Sequence, residues 1–273
     1  MRIINRKPSR VTALALGLLP FVLTLVAYAI ASHYRRLDNP ADKLLPSITS
    51  MGEAFWRMAA VPDRRSGDLL LWLDTFDSLW RLGTGMAVST LLAISLGIAI
   101  GFIPHIRSGL APYLATFSLI PPITILPILF ITFGLGELAK IALIVIGTAP
   151  VMIRSTAQAV LDIPREMIIK AETLGASVLQ MVTRLVLPQV LPHLITSLRL
   201  SLVPAWIFLI SAEAIASTSG LGYRIFLVRR YLAMDVILPY VVWITLLAFL
   251  LDRALLLLSL RAFRWHHLGG DAL

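Results

Sequence analysis

The chain has 273 residues, of which 58% are hydrophobic and only 14% are charged, and a mean hydropathy of +0.85 excludes an ordinary soluble globular protein. It contains no cysteine, which excludes a disulfide framework, thiolate chemistry and a cysteine metal site. No soluble basic face carries the net charge of +9, so we attribute the charge to membrane topology and anionic lipid rather than to nucleic-acid binding.

Six apolar stretches long enough to cross a membrane follow one another along the chain. They cover residues 11–32, 82–106, 108–136, 141–161, 185–212 and 236–251, and the last continues as an apolar run past Asp252 and Arg253. The first stretch has a cleaved signal peptide as its alternative, because Ala29-Ile30-Ala31 resembles a cleavage site. Its length favours a retained membrane anchor, since signal peptides have apolar regions of roughly 7–15 residues.

The distribution of basic residues predicts how the chain is oriented. Residues 1–10 carry Arg2, Arg6, Lys7 and Arg10 without an acid, which places the amino terminus in the cytoplasm. The 33–77 loop then lies outside and contains a short amphipathic helix over 47–59, while the 162–188 loop and the 266–273 tail lie inside. One outside loop disagrees with the rule, because it holds Arg224, Arg229 and Arg230.

The inside loop carries an apolar stripe at helical spacing. Its members recur every three or four residues: Met167, Ala171, Leu174, Val178, Met181 and Leu185. Gly175 interrupts the stripe, so either the helix breaks there into two short pieces or another backbone approaches closely. Pro188 and Pro192 mark the start of the next membrane helix. The pattern fits an interfacial helix lying among lipid headgroups as well as a helix that docks into a groove on a partner.

Ionisable and proline residues inside the apolar stretches are candidates for a translocation pathway. Arg199 and Glu213 stand 14 residues apart on the fifth stretch, about 21 Å along a straight helix, too far to pair with each other. Arg199 either holds the inside loop to its helix or pairs with an acid on another span. Glu213 either contacts the substrate path or is a buried, hydrogen-bonded residue that shapes the following glycine turn.

Three prolines and one tryptophan complete the candidates for the pathway. Pro121, Pro122 and Pro127 remove three backbone donors from the third stretch, which indicates either a cavity lining or a kink for packing. Trp206 on the fifth stretch is either a packing residue or a ligand contact. The chain has no phosphate-binding G-x-x-x-x-G-K-[ST] run and no H-E-x-x-H frame, and His266-His267 is most simply a solvated tail. We predict no catalytic residue and no metal ligand.

The inside loop KAETLGASVLQMVTRLVLP resembles the cytoplasmic EAA loop of ABC-transporter permeases. Ala171, Gly175, Leu185 and Leu187-Pro188 carry the likeness, and Glu172 and Ala176 lie within it. The runs SLWRLGTGMAVSTLLAISLGIAIGF, IPPITILPILFITFGLGELAKI and SAEAIASTSGLGY extend it over about residues 70–265, to the nitrate, sulfonate and taurine branch of these permeases. The chain departs from the family where Ile169-Lys170 replaces the usual Glu-Ala, which puts in doubt any salt bridge made by that glutamate.

The resemblance implies an all-α type I importer permease with a core over 78–265 and short cytoplasmic coupling helices. It implies partners: two cytoplasmic ATP-hydrolysing subunits that bind ATP and magnesium, an extracytoplasmic substrate-binding protein, and a second permease copy, a homodimer by preference. The chain itself would hold no cofactor, and the substrate would be a small anion such as a sulfonate, taurine or nitrate. The alternatives are a secondary transporter or channel that works without an ATPase, and a membrane-embedded enzyme; sparse mid-span charges and the lack of an internal repeat oppose the former.

Overall fold

The structure is a computed structural model that describes residues 9–39, 42–64 and 66–265. Throughout these ranges the regular elements are helical. The predictions about Arg2, Arg6, Lys7 and the 266–273 tail lie outside the described residues. The α-helices are α1 (Arg10–Asp38), α2 (Ile48–Ala60), α3 (Leu70–Phe102), α4 (Pro104–Phe117), α5 (Leu126–Phe133), α6 (Glu137–Leu161), α7 (Arg165–Thr173), α8 (Val178–Met181), α9 (Leu187–Ala216), α10 (Leu221–Arg229) and α11 (Met234–Ala262).

Five helices are long and apolar enough to cross a membrane, and a bent pair brings the number to six if it counts as one span. The pair is Pro104–Phe117 and Pro122–Phe133, whose axes differ by 83°. The span predicted over 108–136 is thus a sharply bent pair of helices, and its prolines lie at the interruption. Pro121 and Pro122 lack the N–H groups that would continue the ladder of α4, so the chain turns there through a short 3-10 turn, Pro122–Ile125.

The second span begins twelve residues earlier than the predicted 82–106, since α3 starts at Leu70. Charged residues normally mark the end of an apolar run, but Asp74 and Arg81 are buried in this helix, 0% and 3% exposed. They are tolerated because each is paired with residues of α9, α10 or the turn between them, as described below. The predicted amphipathic helix over 47–59 is confirmed as α2, with the Ser47 hydroxyl accepting from the backbone N–H of Ser50 at 3.0 Å.

Helices α3, α6 and α9 form the core of the chain. Small residues let α3 and α6 approach closely: a Cβ on Gly97 would lie 2.6 Å from Cβ of Thr156, and one on Gly101 would lie 2.5 Å from Cβ of Val160. In the apolar 18-residue stretch by which each helix could cross a membrane, half of the residues of α6 are buried in protein, whereas none of those of α1 are. The stretch in α6 is also less apolar than the one in α1, because a helix surrounded by protein needs less lipid-facing surface.

Candidate functional site

The segment between α6 and α9, residues 162–188, is the non-spanning part of the chain that the sequence singled out, and we call it the α7–α8 segment. Helix α7 ends at Thr173, and Gly175 has φ +76°, a left-handed conformation that suits glycine. Ser177 then starts α8 with a capping box, in which its hydroxyl accepts from the N–H of Gln180 and the Gln180 side chain accepts from the N–H of Ser177. Of the two alternatives for Gly175, the break into two pieces is observed.

A small apolar cluster ties the ends of the α7–α8 segment to the membrane helices. Ile163, just before α7, is 6% exposed, and Val186, just before α9, is fully buried. They pack with Ile98, Val160 and Val190 of the long helices. The segment continues into α9 through one π-helical turn, Val182–Val186, and Pro188 is the second residue of α9. The two ends of the α7–α8 segment are thus packed against the membrane helices, whereas its middle is not.

The middle of the α7–α8 segment exposes apolar side chains outside the spans. Helix α7 has no buried residue; Leu174 is 87% exposed and Leu179 is 71% exposed. Leu174 lines a cavity of about 410 Å³. Four of the six residues predicted for this loop line the cavity, namely Ala171, Gly175, Ala176 and Leu185. A groove with exposed leucines at its edge is the arrangement by which a short helix docks onto a partner.

The remaining polar groups of the segment are free to meet a partner. Glu172 and Lys170 are exposed, and neither side chain forms an ion pair with a residue of the described part of the chain. Lys170 therefore presents a positive charge at the exposed surface of the α7–α8 segment, where the usual family sequence has no basic residue.

A buried polar network lies at the other end of α9, around Glu213. The Glu213 carboxylate is fully buried and accepts from Ser78 Oγ at 2.8 Å, from the N–H of Gly222 at 2.9 Å and from Arg81 Nη1 at 2.7 Å. Ser78 Oγ also accepts from the N–H of Leu221 at 2.9 Å. These bonds hold the start of α10 against α3, so Glu213 makes the contacts that its hydrogen-bonded alternative requires.

Asp74 forms the second half of this network. Its carboxylate is fully buried and accepts from the N–H of Gly220 at 3.0 Å, from Arg224 Nε at 2.8 Å and from Tyr240 Oη at 3.2 Å. Burial disfavours the charged guanidinium of Arg224, but the hydrogen bond and charge of Asp74 outweigh burial and raise the pKa of Arg224 above its ordinary value. Asp74 therefore fixes the turn, α10 and α11 to α3 at once.

Arg81 links the network to α6. Its Nε and Nη2 donate to the two Glu137 oxygens at 2.5 and 2.9 Å, and Lys140 Nζ donates to Glu137 Oε1 at 2.9 Å. Asp77 lies 4.0 Å from Arg81 Nη2 as a further acidic partner. We call the whole network the Arg81 cluster, and its charged members are four acids and three bases: Asp74, Asp77, Glu137 and Glu213 with Arg81, Lys140 and Arg224. Pairing of this kind is what permits charges at membrane depth.

The turn inside the Arg81 cluster requires glycine. Gly220 has φ +121°, and a Cβ there would lie 2.5 Å from Cδ of Glu213 and 2.7 Å from Arg81 Nη1. The backbone consequently passes close to both charged groups. No side chain fits between them.

The other residues predicted for a pathway occupy different environments. Pro121 and Pro127 are exposed at the bent span and Pro122 is half-buried. Trp206 is 5% exposed within the core, and its Nε1 has no partner among the described residues. Arg199 is bonded at Nε and Nη2 to the two oxygens of Asp252 on α11, at 2.8 and 3.0 Å. The alternative of pairing with an acid on another span is thus observed for Arg199.

Sequence reasoning missed Asp74, Ser78, Arg81 and Lys140. The signal that was available is the spacing of Asp74, Ser78 and Arg81, which places three polar groups on one face of a helix adjoining an apolar run. Glu213, a partner of Arg81, is 132 residues further along the chain, and Arg224, a partner of Asp74, is 150 residues further along. Within the described ranges, no three His, Asp or Glu side chains converge as the ligands of a metal ion would.

Comparison with known proteins places this geometry in a family. Residues 70–264 match the family described as binding-protein-dependent transport system inner membrane component. The chain is 36% identical over 199 residues to the taurine transport system permease protein TauC of Escherichia coli K12, covering 73% of this chain and 72% of that protein. It is 29% identical over 226 residues to the putative aliphatic sulfonates transport permease protein SsuC of the same organism, covering 83% of each.

The fold has a counterpart among solved structures. An inward-facing form of the MetNI methionine ABC transporter aligns with a TM-score of 0.57 at 23% identity, covering 70% of this chain and 96% of that chain. The match to TauC and the match of the family over most of the chain settle the class. The chain belongs to the family of binding-protein-dependent transport system inner membrane components, as a multi-pass permease subunit of an ABC importer.

Proposed function

We propose that this permease subunit carries a small sulfonate-type anion and that its α7–α8 segment docks on a cytoplasmic ATP-hydrolysing subunit. One observation carries the docking proposal: the chain breaks at Gly175 between α7 and α8, and it exposes Leu174, which lines a cavity there, and Leu179. Exposing large apolar groups to water is unfavourable, at about 25 cal/mol per Å², and a partner surface removes that cost. The coupling residues we propose are Ala171, Glu172, Gly175, Ala176, Leu185 and Pro188. ATP and magnesium would be bound by the partner.

The orientation follows from placing the α7–α8 segment in the cytoplasm. Residues 1–10 then lie on the same side, 11–32 anchor the chain, 33–77 lie outside and 78–265 form the permease core. The outside basic residue Arg224 opposed this arrangement in the sequence, but its guanidinium is ion-paired with the buried Asp74. Arg224 therefore has a structural role that accounts for its place in this loop, while Arg229 and Arg230 still depart from the rule that basic loops stay inside.

For the translocation pathway we retain the six residues predicted from the sequence, Pro121, Pro122, Pro127, Arg199, Trp206 and Glu213. The bent span supports the prolines, since irregular backbone at membrane depth is tolerated where it lines a cavity or is buried in protein. Trp206 and Glu213 are buried within this chain, so a part in the pathway requires the helices that cover them to separate. A second copy of the chain, in a homodimer, would complete the pathway.

The substrate proposal rests on relatives named for taurine and aliphatic sulfonates, with nitrate as a further candidate from the family resemblance. An extracytoplasmic binding protein would deliver the anion.

The experiment is purification of the tagged full-length chain from its native membrane in mild detergent, followed by mass spectrometry of the proteins that accompany it. We expect one ATPase subunit for each permease chain, together with a binding protein whose bound ligand identifies the substrate. A homo-oligomer without an ATPase, under conditions that keep other importers intact, would overturn the docking proposal. A binding protein that selects a cation or a neutral solute would overturn the substrate proposal alone.

A further inference from the structure

A cavity of about 260 Å³ lies between the end of α3, α4 and the last turns of α6. It is separate from the Arg81 cluster and from the cavity beside Leu174. Arg107, Arg154 and Gln158 contribute its polar groups, and Ile100, Leu114 and Ile153 are among the apolar residues of its wall. Because α6 leads directly into α7, the cavity lies at the same end of the molecule as the α7–α8 segment.

Arg107 keeps unused hydrogen-bond donors in this cavity. Its Nε donates to the carbonyl oxygen of Ile100 at 3.2 Å and its Nη2 donates to that of Gly101 at 3.1 Å. These bonds satisfy carbonyls at the carboxyl end of α3 and hold the guanidinium in place. A guanidinium has five N–H groups, so three remain for a ligand.

Arg154 is the second cation, and it makes no hydrogen bond or ion pair with any described residue. It stands seven residues before the end of α6 at Leu161, about 10 Å along the helix, a depth from which a long side chain reaches the headgroup layer. The neighbouring Gln158 donates to Asp162 at 2.8 Å, and Asp162 is not among the residues that line the cavity. Among the described residues, no acid therefore neutralises the positive charge of the cavity.

We propose that this cavity binds the phosphate of an anionic phospholipid from the adjoining leaflet. Two guanidinium groups match a phosphate oxyanion, and the apolar wall suits the acyl chain that a free small anion lacks. Basic pockets between membrane helices are the kind of site that receives such headgroups. The site adjoins the last turns of α6, so an occupied cavity holds α3, α4 and α6 together next to the α7–α8 segment.

The test measures how much lipid the delipidated full-length chain retains, by native mass spectrometry in detergent, after addition of phosphatidylglycerol or phosphatidylcholine. We expect the wild type to retain phosphatidylglycerol in preference. Arg154→Gln should lower that retention about fivefold, the effect of one cation near an anionic lipid. Arg261→Gln is the matched control, because it removes an exposed arginine at the same end of the molecule but outside the cavity.

A second variant keeps the charges and blocks the space. Ala111 lines the cavity, and Ala111→Phe should also lower phosphatidylglycerol retention while the melting temperature in detergent stays within a few degrees of the wild type. Equal retention by Arg154→Gln, Ala111→Phe and Arg261→Gln would overturn the site. Inorganic phosphate or taurine at millimolar concentration should not displace the lipid; displacement that depends on Arg154 would overturn the lipid assignment in favour of a free oxyanion.

Discussion

The Arg81 cluster and the α7–α8 segment differ in whether the chain completes their contacts by itself. In the Arg81 cluster every acid is paired, Glu213 and Asp74 are fully buried, and three elements converge on one turn. In the α7–α8 segment no residue of α7 is buried and Leu174 is almost wholly exposed. The polar contacts of the first region are complete in the folded chain. The second region exposes apolar side chains, which we propose a partner covers.

This difference separates what keeps the permease folded from what connects it to other subunits. Substitutions in the Arg81 cluster should reduce stability, because they leave charges buried without a partner. Substitutions in the α7–α8 segment should reduce coupling or assembly and leave the fold nearly unchanged. Four experiments test that division, ordered by the expected loss of stability.

The largest loss is expected for Glu213→Gln. Removing this charge leaves Arg81, which is 3% exposed, without the one fully buried carboxylate among its three acidic partners, Asp77, Glu137 and Glu213, and breaking a buried pair costs about 3–5 kcal/mol. The measurement is the denaturation midpoint in detergent, with transport assayed in parallel. Glu137→Gln is the control, because Glu137 binds the same arginine but its side chain is 51% exposed, where a pair contributes about 0–1 kcal/mol.

Equal destabilisation by Glu213→Gln and Glu137→Gln would contradict the role of burial. A loss of transport by Glu213→Gln that exceeds the loss of folded, assembled protein would instead favour direct contact of Glu213 with the pathway.

The next loss is expected for Gly175→Leu. The substitution has open space around it but forces a leucine into a left-handed conformation, at a cost of roughly 1–2 kcal/mol. Gly67→Leu is matched, since Gly67 has the same φ of +76° with nothing within 4 Å of a built Cβ, and lies between α2 and α3. Both variants should insert and lose similar stability. Only Gly175→Leu should uncouple ATP hydrolysis from transport in reconstituted vesicles; unchanged transport would remove Gly175 from the docking site.

A smaller effect is expected for the Arg199–Asp252 pair, whose environment is intermediate between the two regions. The side chains are 27% and 36% exposed, so we expect a coupling free energy of about 0.5–1 kcal/mol. A double-mutant cycle with Arg199→Gln and Asp252→Asn measures it through unfolding in detergent. A coupling free energy as large as the loss of stability in Glu213→Gln would show that solvent exposure does not determine how much each ion pair contributes to stability.

The smallest loss of stability is expected for Leu174→Ser, within about 0.5 kcal/mol, because the side chain is exposed. The same variant should release the ATPase subunit on purification. Leu119→Ser is the control, since Leu119 is 80% exposed at the bent span and lies outside the α7–α8 segment. Retention of the ATPase by Leu174→Ser, to the extent seen with Leu119→Ser, would mean that the exposed leucine is not part of the interface.

The sequence predicted the features that depend on local chemistry. The amphipathic helix after Ser47 and the proline at the start of α9 follow from capping and from the missing N–H of proline. The break at Gly175 was one of two alternatives that the sequence left open, and the glycine conformation decides it. The number of spans follows from apolar length, counting the bent pair as one.

The features that the sequence could not predict depend on distant partners. From the sequence, Asp74 falls in a loop and Arg81 at a span boundary. Both can lie inside a span because Arg224 and Glu213 compensate their charges, and these pairs exist only in the folded chain. The partner of Arg199 stayed open for the same reason, since Asp252 is 53 residues further on. The 83° bend was also missed, because prolines indicate an interrupted helix but not the direction in which the chain continues.

The continuity of helix from Val178 to Ala216 has a mechanical consequence. These 39 residues form a rod about 58 Å long, with its near end in the α7–α8 segment and Glu213 close to its far end. Gly175 precedes Val178 and interrupts the helical connection from α8 back to α7 and α6. A displacement of α8 is therefore transmitted mainly along α9 rather than to α6. The far end is clamped to α3 and α10 by the bonds of Glu213. Under the docking that we propose, a displacement of α8 would be transmitted along α9 to the turn at Gly220, at the opposite end of the helix.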